Sequence, residues 1–336
     1  MSPGGDGADA VGAVPSPASI GTKLARGSAD DKGGIDVPNL LELTQQGDPG
    51  TIVDESQLEK ITLQTPQQLY ELWERQHWSA HAIDIARDID DWLAVPDDER
   101  EYMLWSLSLF FIGEERVTTQ FSGLVMAYED QSEEAYLTTQ QVDEARHTQF
   151  FARYYDTVFK IGGGIDAQLE RVREHVNDAF VKLFDEALVD ANKRLIADPS
   201  DRDAKIDFVT TYMMVIEGTL ALTGQHTITR SLEERGIMPG FVEGFRHIAT
   251  DEHRHVAYGT WYLQQAVKRD RSAAERIQAK LAELLPIAAE VLVPPGHSLD
   301  EEWELFGFTR SDVHGYAFQA LSRRMKVIGL GVPQLV

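Results

Sequence analysis

The sequence predicts an all-α chain, and three observations carry that prediction: helical segments longer than the usual ~10–14 residues, cap or stop residues at their ends, and no sustained strand alternation between turn clusters. Residues 1–45 stand apart from this pattern. Gly, Pro, Ala, Ser and Asp dominate there, too few large apolar side chains are present to offset chain entropy, and the segment reads as a disordered tail. The helical domain spans residues 65–330. Thr65 and Pro66 form an N-cap and first helical position for QQLYELWERQHW. Pro96 opens DDEREYMLWSLSLFFIGEERVTTQFSGLVMAYE, and Ser132 caps EEAYLTTQQVDEARHTQFFARYYDTVF, which stops at Gly162, Gly163 and Gly164. A fourth segment covers Asp166 to Asp190, and a fifth runs from Ser200 to Arg235 and stops at Gly236. Pro239 begins GFVEGFRHIATDEHRHVAYGTWYLQQAVKRD, and two more helices follow Ser272 and Ser311, divided by Pro294, Pro295 and Gly296. Helices of this length, apolar around most of their circumference at Met103 to Ile112 and Tyr212 to Leu222, belong inside a bundle.

Composition narrows the chemistry. The chain has 336 residues, no cysteine and a formal charge of −24. Thiolate nucleophiles, disulfides, Cys-ligated zinc and iron–sulfur clusters are excluded, which leaves His with Asp or Glu for metal work. The acidic balance argues against nucleic acid or an anionic membrane surface as partner. No apolar run approaches the ~20 residues of a membrane span, and no signal peptide opens the sequence, so a cytoplasmic soluble protein is expected.

Polar residues set in apolar helices are the informative ones. Glu114 and Glu115 follow LWSLSLFFIG, and Glu217 sits inside MMVIEGTLALTG. A buried carboxylate needs a cation or a proton. Two other helices carry Glu-x-x-His, Glu144 with His147 and Glu252 with His255, a spacing that puts both side chains on one helical face. One Glu from each of two helices plus Glu-x-x-His from each of two more is the ligand set of a dinuclear carboxylate site in a four-helix bundle. A third copy, Glu74 with His77, belongs on a surface helix. Spacing separates the copies: Glu114 and Glu144 lie 15 and 12 residues from the turn between their helices, Glu217 and Glu252 lie 18 and 13 from theirs. Both hairpins therefore bring Glu and Glu-x-x-His to similar depth. Spacing alone does not choose between Glu114 and Glu115.

GEERVT, YLTTQQVDEARHTQFF, TYMMVIEGTLALTG and DEHRHVAYG resemble the ribonucleotide reductase small-subunit superfamily, of ferritin-like four-helix-bundle fold with added flanking helices, and most of all its ligand-binding oxidase branch. The resemblance covers roughly residues 75 to 330. It implies Glu114, Glu144 and His147 at one metal and Glu217, Glu252 and His255 at the other, with carboxylate bridging and with Glu115 outside the ligand set. It also implies a manganese–iron or di-iron cofactor, dioxygen as oxidant, a long-chain fatty acid or similar apolar ligand, and a homodimer.

Two positions distinguish the branches. The radical-storing subunits carry Tyr four residues after the first motif His, where this chain has Phe151. The oxidase branch joins a Val three residues after the first Glu to a Tyr five before the third through an ether cross-link, and these positions are Val117 and Tyr212. Five residues on an ideal helix turn Tyr212 ~140° from Glu217, and a π-bulge between them would reduce that angle. Two other readings compete with the oxidase: a reductase small subunit without its radical tyrosine, against which stands the absence of any Tyr after Tyr316, and a non-enzymatic metal or ligand storage bundle. Trp73, Trp78, Trp92 and Trp105 read as core residues, and Asp143 and Asp251, each preceding a motif Glu, read equally as residues that orient their neighbours or as solvated carboxylates.

Overall fold

Four long helices hold the core, and the computed structural model describes them within residues 61–333. The expected tail at residues 1–45 lies outside the described residues. Helix α1 (Pro66–Arg75) starts as its sequence dictates, with Thr65 and Gln68 forming a reciprocal capping box, but it ends before the expected His77 and Trp78. A short helix α2 (Ile89–Ala94) leads into α3 (Asp97–Gln120). The single helix expected after Pro96 breaks at Phe121, and α4 (Ser122–Met126) follows. At the break Gly123 donates its N–H to Asn192 at 3.0 Å, so close an approach that a Cβ would come within 2.2 Å of the Asn192 oxygen.

Helix α5 (Gln131–Thr157) is capped by Asp130, which accepts the N–H groups of Ser132 and Glu133. Ser132, the expected cap, lies inside the first turn because the carboxylate of Asp130 reaches those orphan donors first. The fourth expected segment is two helices, α6 (Ile165–Val172) and α7, the latter built from Asp178–Phe180, a π-helical stretch Val181–Ala187 and Leu188–Ala197. Helix α8 consists of Arg202–Val209, a π-helical stretch Thr210–Ala221 and Leu222–Arg235, capped by Asp201 rather than Ser200. Among the described residues it is the one helix long and apolar enough to cross a bilayer, and its apolar stretch is buried within the bundle. Helices α9 (Pro239–Arg269), α10 (Ser272–Val291) and α11 (Arg310–Ile328) complete the set. A two-residue hairpin, β1 (Glu304–Leu305) and β2 (Phe308–Thr309), precedes α11 and was not expected from a sequence without strand alternation.

Helix α3 packs on α5, and the π stretch of α8 packs on α9, with α5 and α9 in contact across the middle. Flanking elements close the bundle: α1 lies on α5 and α9, while α10 and α11 cover α8. Asp88 ties three parts together, accepting the Gly240 and Phe241 N–H groups at the start of α9 (2.8 and 2.6 Å) and the Tyr154 hydroxyl from α5 (2.8 Å). A buried carboxylate at a helix N-terminus answers both the orphan donors and the positive end of the dipole.

The contact between α9 and the π stretch depends on Gly259, where a Cβ would lie 2.5 Å from the Cβ of Met213. Gly259→Ala is expected to force these helices apart and to lower stability by about 1–3 kcal/mol in urea unfolding. An unchanged midpoint would show that the interface tolerates the extra atom.

Candidate metal centre

The four core helices deliver six side chains to one buried place. Glu114 from α3, Glu144 and His147 from α5, Glu217 from the π stretch of α8, and Glu252 and His255 from α9 are each at most 5% exposed. They form two overlapping groups. Glu114, Glu144, His147 and Glu252 place one donor atom each within 4.8 Å of one another, and so do Glu144, Glu217, Glu252 and His255. Glu144 and Glu252 belong to both groups, the arrangement that carboxylate bridging between two ions requires.

Each imidazole has an inner and an outer nitrogen. His147 Nδ1 faces Glu114 at 3.2 Å, and Glu144 and Glu252 at 3.5 Å each; His255 Nδ1 faces Glu144 at 3.0 Å, Glu217 at 3.2 Å and Glu252 at 3.7 Å. The outer nitrogens cross over between helices: His147 Nε2 meets Asp251 of α9 at 3.1 Å, and His255 Nε2 meets Asp143 of α5 at 3.3 Å. An Nε2–H donated to each aspartate leaves both Nδ1 lone pairs aimed into the cluster.

The aspartates are themselves held. Arg254, 1% exposed, donates to Asp143 at 2.9 Å and to Asp251, and Arg146 donates to Asp143 at 2.8 Å and to Asp251 at 3.4 Å. Trp73 Nε1 donates to Asp143 at 2.8 Å, on the oxygen that Arg146 also reaches, and Trp78 Nε1 to Asp251 at 2.7 Å. Two of the tryptophans thus do more than fill the core. The two arginines were missed in the sequence, although the pattern Asp-Glu-x-Arg-His stands twice, at 143–147 and at 251–255.

The electrostatics suit a cation site. Burial, with repulsion from Glu252 and Glu144, pushes Glu114 up to about 8 despite His147. Burial and the neighbouring carboxylates raise Glu217 strongly, and Glu252 also rises. Burial opposes charge on both imidazoles, but the surrounding carboxylates outweigh it and hold His147 and His255 well above the ordinary histidine value. Glu144, between the two rings, is held below its ordinary value although burial acts the other way. Glu144 Oε2, Glu217 Oε2 and Glu252 Oε2 are buried without a hydrogen-bond partner. Orphaned carboxylate oxygens beside two oriented imidazoles make a donor set that fits two transition-metal ions.

The remaining expected residues fall around this cluster. Glu115 points away, paired with Arg116 at 3.0 Å beside Asp185, so the choice between the two glutamates rests with Glu114. Glu74 and His77 are exposed. Tyr212, fully buried in the π stretch, donates its hydroxyl to Glu144 Oε1 at 2.5 Å. Phe121, four residues after Val117, touches the Tyr212 ring with centroids 5.5 Å apart. Phe151, fully buried, packs among the rings of Phe110, Phe111, Phe150, Phe241 and Phe245. Val117, Glu114, Glu217 and Glu252 line a cavity together with mostly apolar residues such as Trp105, Phe110, Phe184 and Leu220, and with Ser106, Thr223 and Thr227.

Without bound cations, the three raised glutamates and two raised imidazoles hold more protons in the folded than in the unfolded chain. Stability linked to such groups falls as pH rises through their folded-state values, whereas Glu144 acts in the opposite sense only below the ordinary carboxylate range. The metal-free protein is therefore expected to lose thermal stability from about pH 5 to beyond about pH 8 in calorimetry. A melting temperature that climbs across that window would contradict the charge assignment.

Known proteins share this fold. The profile of the family described as ribonucleotide reductase, small chain, matches residues 55–331. The R2-like ligand-binding oxidase from Sulfolobus acidocaldarius is 27% identical with a TM-score of 0.67, over 80% of this chain and 91% of that one. A variant of an R2-like ligand-binding oxidase with an anaerobically reconstituted Mn/Fe cofactor is 27% identical with a TM-score of 0.68, over 79% and 93% of the two chains. Another variant, with a non-activated Mn/Mn cofactor, matches equally at 27% and 0.68 over the same shares. With the profile spanning the whole bundle and the solved oxidases superposing on it, this chain belongs to the ribonucleotide reductase small-chain family and is homologous to its R2-like ligand-binding oxidase branch.

Proposed function

We propose that the chain is an oxygen-activating oxidoreductase in which Glu114, Glu144 and His147 hold one ion and Glu217, Glu252 and His255 the other, with Glu144 and Glu252 reaching both. The relatives' cofactors support manganese with iron as the pair, with two irons as the alternative. The observation that carries the proposal is the cavity: a largely apolar cavity has Glu114, Glu217 and Glu252 of the cluster in its wall, so a C–H bond held there would lie beside the metals. A storage bundle has no need of such a chamber. Bound at this site, the ions would supply the redox chemistry that activates dioxygen.

The chain's own residues do the rest. Asp143 and Asp251 fix the imidazoles, Arg146 and Arg254 fix the aspartates, and the apolar walls keep water from the reacting bond. Val117 and Tyr212 are the pair proposed to join in an ether cross-link. That bond forms between the phenolic oxygen of Tyr212 and a side-chain carbon of Val117, each giving up one hydrogen, while dioxygen takes the two electrons. Glu144 already accepts the Tyr212 hydroxyl and is placed to receive its proton. The π-helical stretch supports this role, because it carries both Tyr212 and Glu217 toward the cluster. A long-chain fatty acid or similar amphiphile suits the cavity, and residues 65–330 are taken as a ferritin-like domain that functions as a cytoplasmic homodimer.

One observation favours a second reading. The hydrogen-bonded path from Trp78 through Asp251 to His147 is the kind of link by which a reductase small subunit with a metal-based oxidant would exchange an electron with a large subunit. Nucleotide reduction with such a partner would promote that reading.

After aerobic loading with manganese and iron, peptide mass spectrometry is expected to find Val117 and Tyr212 joined with the loss of two hydrogens, and Tyr212→Phe to abolish the product. Unlinked peptides from fully loaded wild-type protein would contradict the cross-link. Asp143→Asn and Asp251→Asn are each expected to weaken metal binding by about 10–100-fold in competition with a chelator. Wild-type affinity in both would remove the orienting role of the aspartates.

A further inference from the structure

The π-helical stretch of α8 is held from outside by a side chain that belongs to neither ligand group. Arg324, on α11, is 3% exposed. Its Nη1 donates to the Gly218 carbonyl at 2.8 Å and to the Ala320 carbonyl of its own helix at 2.7 Å. Its Nε is buried without a partner. Burial pulls the guanidinium down to about 10, with Tyr316 and Arg323 as its titratable neighbours, so it stays charged at neutral pH. Neither neighbour is a carboxylate. A buried charge answered by backbone carbonyls alone is costly, and the place of the Gly218 carbonyl gives it a purpose.

That carbonyl lies where the π register ends. The Leu222 N–H, at the exit of the stretch, reaches back to the carbonyls of Glu217 and Thr219 and passes over the one between them. A helix that changes its bonding step leaves a carbonyl in want of a donor, and Arg324 supplies one to Gly218. Within the stretch the Thr219 hydroxyl serves Met214 in the same way, donating to its carbonyl five residues back at 2.7 Å. A Cβ on Gly218 would come within 2.6 Å of the Met213 carbonyl, so the glycine and this register go together. Glu217 is the residue immediately before the clamped carbonyl, and Tyr212 stands earlier in the same stretch. Return to ordinary α bonding would set these two side chains ~140° apart, and they could not both face the cluster.

We propose that Arg324 is a positioning residue that fixes the π register of α8 from α11 and thereby keeps Glu217 at the cluster. It acts through the backbone, since its bond goes to the Gly218 carbonyl and not to the Glu217 carboxylate. The inference rests on the two-ion reading above and adds to it a residue outside the bundle's four core helices.

The test is anaerobic titration of metal-free, full-length protein with Mn(II) alone, followed by electron paramagnetic resonance. Wild type is expected to take two ions and to show the signal of a coupled pair. Arg324→Met keeps much of the apolar stem and removes the donors. It is expected to weaken the second ion by about tenfold or more and to show the pattern of an isolated Mn(II). Arg324→Gln, whose amide falls short of Gly218, serves if the methionine variant does not fold, with the same result expected. Leu321→Ala, at a buried position on the same helix, is expected to lower the urea midpoint and yet keep the coupled pair. A coupled pair at wild-type affinity in the arginine variant, or its equal loss in Leu321→Ala, would overturn the clamp while leaving the two-ion centre standing. Wild type that takes fewer than two ions would remove the two-ion reading and the clamp with it.

Discussion

Four carboxylates crowded into the dry centre of a helix bundle impose the constraint on which the remaining structure depends. Glu114, Glu144, Glu217 and Glu252 lie beside one another with almost no solvent contact, and burial alone disfavours their charge. Two imidazoles answer part of that charge. They do so as oriented donors, because each is pinned from behind by an aspartate on the opposite helix. What is left over is a set of orphaned oxygens and inward-facing nitrogens, and cations are the partners that satisfy both at once.

The supporting shell follows from the same constraint. Asp143 and Asp251 are buried charges in their own right, and unpaired they would cost as much as they contribute. Arg254 and Arg146 each reach both of them, so α5 and α9 are cross-linked by charge behind the two histidines. Trp73 and Trp78 take up further lone pairs of the aspartates. On the opposite side the polarity falls off at the cavity, whose lining is mostly apolar. One face of the cluster is thus arranged to hold ions, and the other to hold a group that water would otherwise reach.

Much of this was legible because it depends on spacing. The distances of Glu114, Glu144, Glu217 and Glu252 from their inter-helix turns place them at one depth whatever the details of packing. Pro66 and Gly236 mark true helix ends, since proline suits a first turn and glycine a left-handed cap, here with φ of 65°. Local competition was harder to read. Asp130 and Asp201 outcompete the neighbouring serines as caps, a difference set by which oxygen reaches the orphan N–H groups. The break at Phe121 comes from Asn192, about seventy residues away, and no local pattern announces it. The hairpin before α11 is too short for alternation to appear. Arg254 and Arg146 were visible as letters, but their meaning lay in the crossing of two helices that only the fold supplies.

The claim that these six side chains gather two cations is tested most directly by diffraction from crystals of metal-loaded protein at the manganese and iron absorption edges. The account predicts two anomalous peaks, one among Glu114, Glu144, His147 and Glu252 and the other among Glu144, Glu217, Glu252 and His255. A single peak, or metal bound elsewhere with these carboxylates turned toward solvent, would contradict it.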